Sequence, residues 1–248
     1  ILLGIGMAVD ANVINFTRIR DEYKLRKDFK LSYKNGNKAS IGMQVSNDDV
    51  ITVNNEIINK DTDQKVYVLL NKPRGVVTTS SDELGRKTVV DLIDTNKRIY
   101  PVGRLDYDTT GVLLLTNDGE LTNLLTHPKN NIDKVYLAKV KGIITGSDIT
   151  KLKNGVMIDG FKTQKARVKL KSYDRKTKTS LVELTIHEGH NHQVKKMFES
   201  IGYDVIKLTR LRFAGLSVKD LKSGEYRLLT PKEVKQLYGM INSKRNII

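Results

Sequence analysis

The chain of 248 residues contains no cysteine. Disulfides and zinc–thiolate sites are therefore excluded. Nor does any apolar run approach the ~20 residues that a bilayer-spanning helix needs. The apolar start, Ile1 to Val9, has no basic stretch before it and no cleavage pattern after it, so no secretory signal is expected. There is no internal repeat and no low-complexity tract. Acidic residues are few beside basic ones: 28 Asp and Glu against 43 Lys and Arg, a net charge of +15.

What is present is an ordinary globular composition, 39% hydrophobic and 29% charged, in a chain long enough for a sizeable core. The expectation is a cytoplasmic protein with a polyanionic partner. A membrane surface is disfavoured as that partner, because no basic amphipathic helix with an aromatic face is found. A lysine-rich coat serving solubility is the plain alternative. The charge is unevenly placed. Residues 1–64 carry equal numbers of basic and acidic side chains, so the whole excess lies in residues 65–248.

The polar run Asn59 to Gln64 reads as a linker between two apolar stretches. Before it, residues 49–58 read as two short strands around Asn54-Asn55. After it, Val66 to Leu70 is a buried strand running into a basic turn, Asn71-Lys72-Pro73-Arg74-Gly75. In Gln164 to Lys171, the cations Lys165, Arg167, Lys169 and Lys171 alternate with Ala166, Val168 and Leu170. That predicts a strand with one apolar and one basic face. Ser180 to His187 is its expected hairpin partner. Val194, Met197, Phe198 and Ile201 follow helical spacing, with Gly202 as the stop. Thr230-Pro231-Lys232-Glu233 is a capping box with proline at the first helical position. Strand pairs mixed with short helices indicate an α+β fold with a mixed or antiparallel sheet.

The densest signal is Gly103-Arg104-Leu105-Asp106-Tyr107-Asp108-Thr109-Thr110-Gly111, followed by the apolar run Val112 to Leu115. Turns beside buried strands are where positioned catalytic groups tend to sit. From spacing alone, Asp106 and Asp108 admit three readings: a metal pair, a nucleophile with its neighbour, or plain turn-formers. His187, His190 and His192 suggest a metal cluster at first sight. However, Glu188-Gly189 breaks regular structure there, and no H-E-x-x-H spacing occurs.

Several blocks together resemble the signature of bacterial pseudouridine synthases of the RsuA/RluB type, more RluB-like than RsuA-like. They are Leu70 to Thr79, Pro101 to Gly119, Lys134-Val135-Tyr136, Glu188 to Phe198 and Gly224 to Thr230. Their order and spacing carry the resemblance over roughly residues 65–238. It implies a pseudouridine-synthase core, with a mixed, largely antiparallel sheet, flanking helices and a cleft across it. This catalytic domain is expected at residues 65–248. A small S4-like RNA-binding module is expected at residues 1–60, where Ile41 to Ile58 resembles the closing strands of such a module but Phe16 to Lys38 does not follow its helices.

The resemblance also implies an activity: isomerisation of a uridine to pseudouridine in ribosomal RNA, 23S first, by a monomer acting on a flipped-out base. Small-subunit RNA and tRNA remain alternatives, as does a non-catalytic RNA-binding protein on the same fold. No cofactor and no metal are implied. Asp106 matches the catalytic aspartate, in a nucleophile or base role. Tyr136 matches the active-site tyrosine, and Lys195 matches a basic residue paired with the aspartate, where many members have arginine. Arg104 is implied in base flipping and Leu208 in lining the uracil pocket. The expected RNA contacts are Lys72, Arg74, Lys165, Arg167, Lys169, Lys171, His190, His192 and Arg210.

Overall fold

The computed structural model describes residues 64–245, with side chains as far as residue 240, and four short strands within residues 33–57. The chain divides into two compact units, Ile1–Lys65 and Val66–Ile248. In the first, β1 (Tyr33–Lys34), β2 (Asn37–Lys38), β3 (Ile51–Val53) and β4 (Glu56–Ile57) form an antiparallel sheet in the order β2-β1-β3-β4. The strand pair expected around Asn54-Asn55 is β3 and β4. The remainder of the S4-like expectation lies outside the described residues.

The second unit is built on a nine-stranded sheet. Its strands are β5 (Tyr67–Lys72), β6 (Tyr100–Pro101), β7 (Thr110–Thr116), β8 (Lys134–Lys141), β11 (Arg167–Asp174), β12 (Thr179–Ile186), β13 (Val205–Phe213), β14 (Leu216–Ser217) and β15 (Tyr226–Leu228). The main path runs β11-β12-β8-β13-β7-β5-β15, with β6 on β7 and β14 on β13. A separate hairpin pairs β9 (Met157–Ile158) with β10 (Phe161–Lys162). Among the named strands only β13 and β7 run parallel, so the sheet is mixed and largely antiparallel. Four helices flank it: α1 (Gly119–Thr126), α2 (Gly146–Asn154), α3 (Gln193–Glu199) and α4 (Pro231–Arg245). None is long and apolar enough to cross a membrane.

The run Val112 to Leu115 forms the middle of β7, and all four side chains are fully buried. A strand apolar at every position belongs in the centre of a sheet covered on both faces. Leu113 and Leu115 join Val68, Leu70, Tyr136, Val182, Phe198 and Leu208 on the front face. Val112 and Leu114 join Leu69, Leu121, Leu125 and Leu237 on the back. Each fully buried leucine contributes about 1.5–3 kcal/mol, so these two clusters hold the unit together.

Several expectations fall where they were placed. Thr230 and Glu233 close the capping box, Glu233 Oε2 accepting from Thr230 N at 2.8 Å and Thr230 Oγ1 accepting from Glu233 N at 3.3 Å. Gly202 ends α3 at φ +88°. The basic strand, however, starts later than predicted, at Arg167. Gln164 N is taken by Glu188 Oε1 at 3.0 Å and Ala166 N by Lys153 O at 3.1 Å, so Lys165 lies outside the ladder.

Candidate active site

Asp106 sits in the turn between Leu105, which is buried, and β7. Leu105 is fastened on both sides by Thr78, whose hydroxyl donates to Leu105 O at 2.7 Å and accepts from Leu105 N at 3.3 Å. Thr109 N donates to Asp106 O at 3.1 Å and closes the turn. Gly75 N donates to Tyr107 O at 2.9 Å and ties it to the neighbouring loop.

Beneath the turn lies Lys72, at the end of β5 and fully buried. Its ammonium donates to Asp106 O at 3.0 Å, Thr109 O at 3.0 Å and Pro73 O at 3.2 Å, with Tyr107 O at 3.5 Å. An ammonium has three donors, and here they are shared between Pro73 O and the carbonyls of the very turn that carries Asp106. Burial pulls the Lys72 pKa down to about 8; the Asp106 and Asp108 carboxylates oppose this and the Arg210 charge adds to it.

Above the turn, α3 delivers Lys195. Its Nζ lies 2.6 Å from Asp108 Oδ1 and 3.2 Å from Asp106 Oδ2. The helix is short, and its approach is set by the loop before it. His190 N donates to Gln193 Oε1 at 3.0 Å, Gln193 Nε2 bonds Glu188, and His192 takes a left-handed conformation at φ +51°. Val194, Met197 and Phe198 are buried against the front cluster, which leaves Lys195 half-buried at the rim of the apolar face. His192 Nε2 stands 3.5 Å from the other oxygen of Asp106. Burial works against the Lys195 charge, but the hydrogen bond to Asp108 and the field of Asp106 outweigh it and raise the pKa. Asp108 is lowered by that same hydrogen bond. The site is thus a half-exposed carboxylate, Asp106, on a rigid turn, beside a cation that a second carboxylate shares. Such a group is placed to act on an approaching substrate as nucleophile or base.

Residues 66–200 match the family model described as RNA pseudouridylate synthase. The chain is 46% identical over 228 residues to ribosomal large subunit pseudouridine synthase B of Bacillus subtilis (strain 168), covering 92% of this chain and 93% of that protein. The chain belongs to the RNA pseudouridylate synthase family. Over 85% of its length the synthase is 37% identical to the dual-specificity RNA pseudouridine synthase RluF of Escherichia coli (strain K12), 71% of which is covered. A solved structure described as a pseudouridylate synthase superposes with a TM-score of 0.65 at 31% identity, covering 90% of this chain and 95% of that one.

Apart from the histidines, the other predicted positions of the synthase divide into three groups. Tyr136 and Leu208 are buried in the front cluster together with Leu105, the residue before Asp106. Arg104, Arg74, Lys165, Arg167, Lys169 and Lys171 are exposed. Two of these cations are already paired, Arg167 with Asp133 and Lys171 with Glu183 at 3.7 Å. Lys72 and Arg210 are corrections to the expected set of phosphate contacts. Both are buried, Lys72 with its donors committed to backbone carbonyls, Arg210 with Nε bonded to Val112 O at 2.8 Å and its guanidinium 4.8 Å over the Phe213 ring. Neither presents its charge at the surface.

The histidines do not converge. His187 faces Asp133 at 2.8 Å, His190 faces Glu188 at 3.6 Å and meets the Phe161 ring at a tilt of 48°, and only His192 reaches Asp106. Sequence reasoning missed two groups, Thr78 as the clamp on Leu105 and Asp108 as the partner of Lys195. The Asp-x-Asp spacing was visible, but which carboxylate a lysine 87 positions later would reach was not.

Proposed function

We propose that the synthase isomerises a specific uridine of 23S ribosomal RNA, with Asp106 as its catalytic residue. The observation that carries this is the Asp106 carboxylate, half-exposed on a turn pinned by Lys72 and Thr78 and held beside Lys195. The reaction breaks the C1′–N1 bond, turns the base, forms a C1′–C5 bond and releases the C5 hydrogen as a proton while the freed N1 takes a proton up, so atoms balance and nothing is oxidised or reduced. Asp106 serves as nucleophile or base. Tyr136 stacks on the flipped uracil or takes part in the proton transfer, Leu208 lines the pocket, and Arg104 fills the gap left in the RNA stack. Arg74, Lys165, Lys169, His190 and His192 track the backbone. Residues 1–60 act as a divergent S4-like module that helps recruit RNA to the catalytic domain at residues 65–248. The protein works as a cytoplasmic monomer.

The test is tritium release from 5-³H-uridine-labelled 23S, 16S and tRNA transcripts by the wild type and Asp106→Asn. Release from 23S by the wild type alone is the expected outcome. Release from 16S or tRNA only would move the substrate. Release by Asp106→Asn equal to that of the wild type would remove Asp106 from the chemistry.

A further inference from the structure

Helices cover the back of the large sheet over only part of its width. The back cluster places α1 and α4 on Leu69 of β5 and on Val112 and Leu114 of β7. The buried residues of α2 and α3 lie in the front cluster. Strand register continues the back face from β7 outward: Thr110 pairs with Thr209 of β13, Thr209 with Leu137 of β8, Leu137 with Glu183 of β12, and Glu183 with Lys169 of β11. Tyr136 and Leu208, one position along, point to the front. No described helix lies on this outer half of the back face, and Leu137 and Leu181 on it remain partly exposed.

That half is strongly cationic. It carries Lys139, Arg167, Lys169, Lys171, Lys207 and Arg212, all exposed. A shallow hollow lined by Val135, Arg167, Glu183, Thr185 and Arg212 shows that the side chains from four strands share one surface. The acids on it are engaged: Asp133 holds Arg167 and His187, and Glu183 is nearest Lys171. Lys207 stands directly opposite Lys139 in the β13–β8 ladder. Like charges in that position repel and weaken a sheet. The acid that Lys139 feels, Asp174, is itself bonded to the backbone of Lys176 and Thr177. A surface that only solubilises would gain from an acid at either lysine position.

We infer that this outer back face, opposite the catalytic turn, is a second RNA-binding surface that grips the phosphate backbone of a segment distant from the target uridine. It rests on the RNA substrate proposed above, but not on which uridine is modified. Lys139 and Lys207 face each other on adjacent strands about 4.8 Å apart, and Arg167 and Lys169 stand one two-residue step of about 6.6–6.8 Å apart on β11, so the two groups of point charges flank β12 on one flat face. Such an arrangement suits backbone contact and reads no sequence. Lys139 pairs with Leu181 and stands two positions from Leu137 on the same face, where a lysine stem can cover apolar surface while its ammonium stays outermost. An RNA that touches both faces must be folded around the protein, so the preferred substrate is a large structured RNA rather than an isolated hairpin.

The experiment compares the full chain with a Lys139→Ala, Lys207→Ala, Arg212→Ala triple variant on a short target hairpin and on a long structured fragment that contains it. Turnover of the hairpin is expected to match the wild type, since the three residues lie on the other face of the sheet and the charged partners of Asp106 are Lys195 and His192. Affinity for the long fragment is expected to fall about tenfold or more, with the slope of log affinity against log salt shallower by about 2–3. Thermal stability without RNA is expected to hold or rise, because the opposed lysines are gone. Unchanged affinity and slope on the long fragment would overturn the inference. So would a variant whose only defect is lost binding of a ribosomal protein. Should the wild type fail to turn over the hairpin, the catalytic reading fails, while filter binding on the long fragment still decides this one.

Discussion

Lys72 shows how one residue changes meaning between sequence and structure. In the sequence it is a cation in a turn, a natural phosphate contact. In the fold it is buried and clasps the carbonyls of the Asp106 turn. Replacing it with Met leaves those carbonyls unpaired, which is expected to cost about 2 kcal/mol or more and to slow turnover by loosening the turn. Urea unfolding and single-turnover tritium release measure the two effects. The pH dependence follows from a folded pKa of about 8 against the ordinary 10.5. Below pH 8 both states are protonated and the cost of burying the charge is fully present. Between 8 and 10.5 the folded state sheds the proton first and the unfolded state binds more, so this group raises stability with pH. The advantage of the wild type over Lys72→Met should therefore widen from pH 8 to 10. A gap that narrows would mean that the carbonyls hold the ammonium charged throughout.

Among the elements, β7 decides the geometry. It is an interior strand, it begins where the catalytic turn ends, and it makes the one parallel pairing among the named strands, to β13. Gly111 permits that pairing. It has φ +106°, and a Cβ there would stand 2.2 Å from Arg210 O on β13. Gly111→Ala is expected to destabilise the unit by about 3 kcal/mol or more and to abolish activity, because the turn hangs from this strand. Denaturant unfolding checks the first effect; a variant of wild-type stability would show that the strands part without cost. Asp118, just past β7, secures the same strand. It caps α1 by accepting from Leu121 N at 3.2 Å and takes the hydroxyls of Tyr67 at 2.7 Å and Tyr238 at 2.6 Å. Burial together with this carboxylate pushes both phenol pKa values up. The strands of β7, β12 and β5 were legible because their apolar runs are unbroken or alternate. Helix α2 was not singled out, since a short helix with Leu152 as its one fully buried apolar side chain has little periodicity to read, although Thr145 and Asp148 form a capping box.

For the whole molecule, charge distribution matters more than any single contact. The excess of +15 lies entirely beyond residue 64. Apart from the buried Lys72 and Arg210, the largely buried Lys134 and the cations paired with acids, most of the described cations stand on exposed surface. If six or more phosphates are neutralised, affinity for RNA should fall about a thousandfold or more between 50 and 200 mM salt. Filter binding across that range checks it. A nearly flat salt dependence would assign the charge to solubility instead.

From the sequence by itself came the family, the α+β class, the largely antiparallel sheet and Asp106, because each is written in local residue order: motif spacing, strand alternation and a Gly-bounded turn. The same holds for the absence of cysteine chemistry. Only the tertiary structure decided which cations are buried and which are exposed, that Lys195 is shared between Asp108 and Asp106, and that no described helix covers one half of the sheet's back. These depend on strands far apart in the chain meeting in register. A one-residue shift in pairing would send each side chain to the opposite face, and no local pattern records that choice.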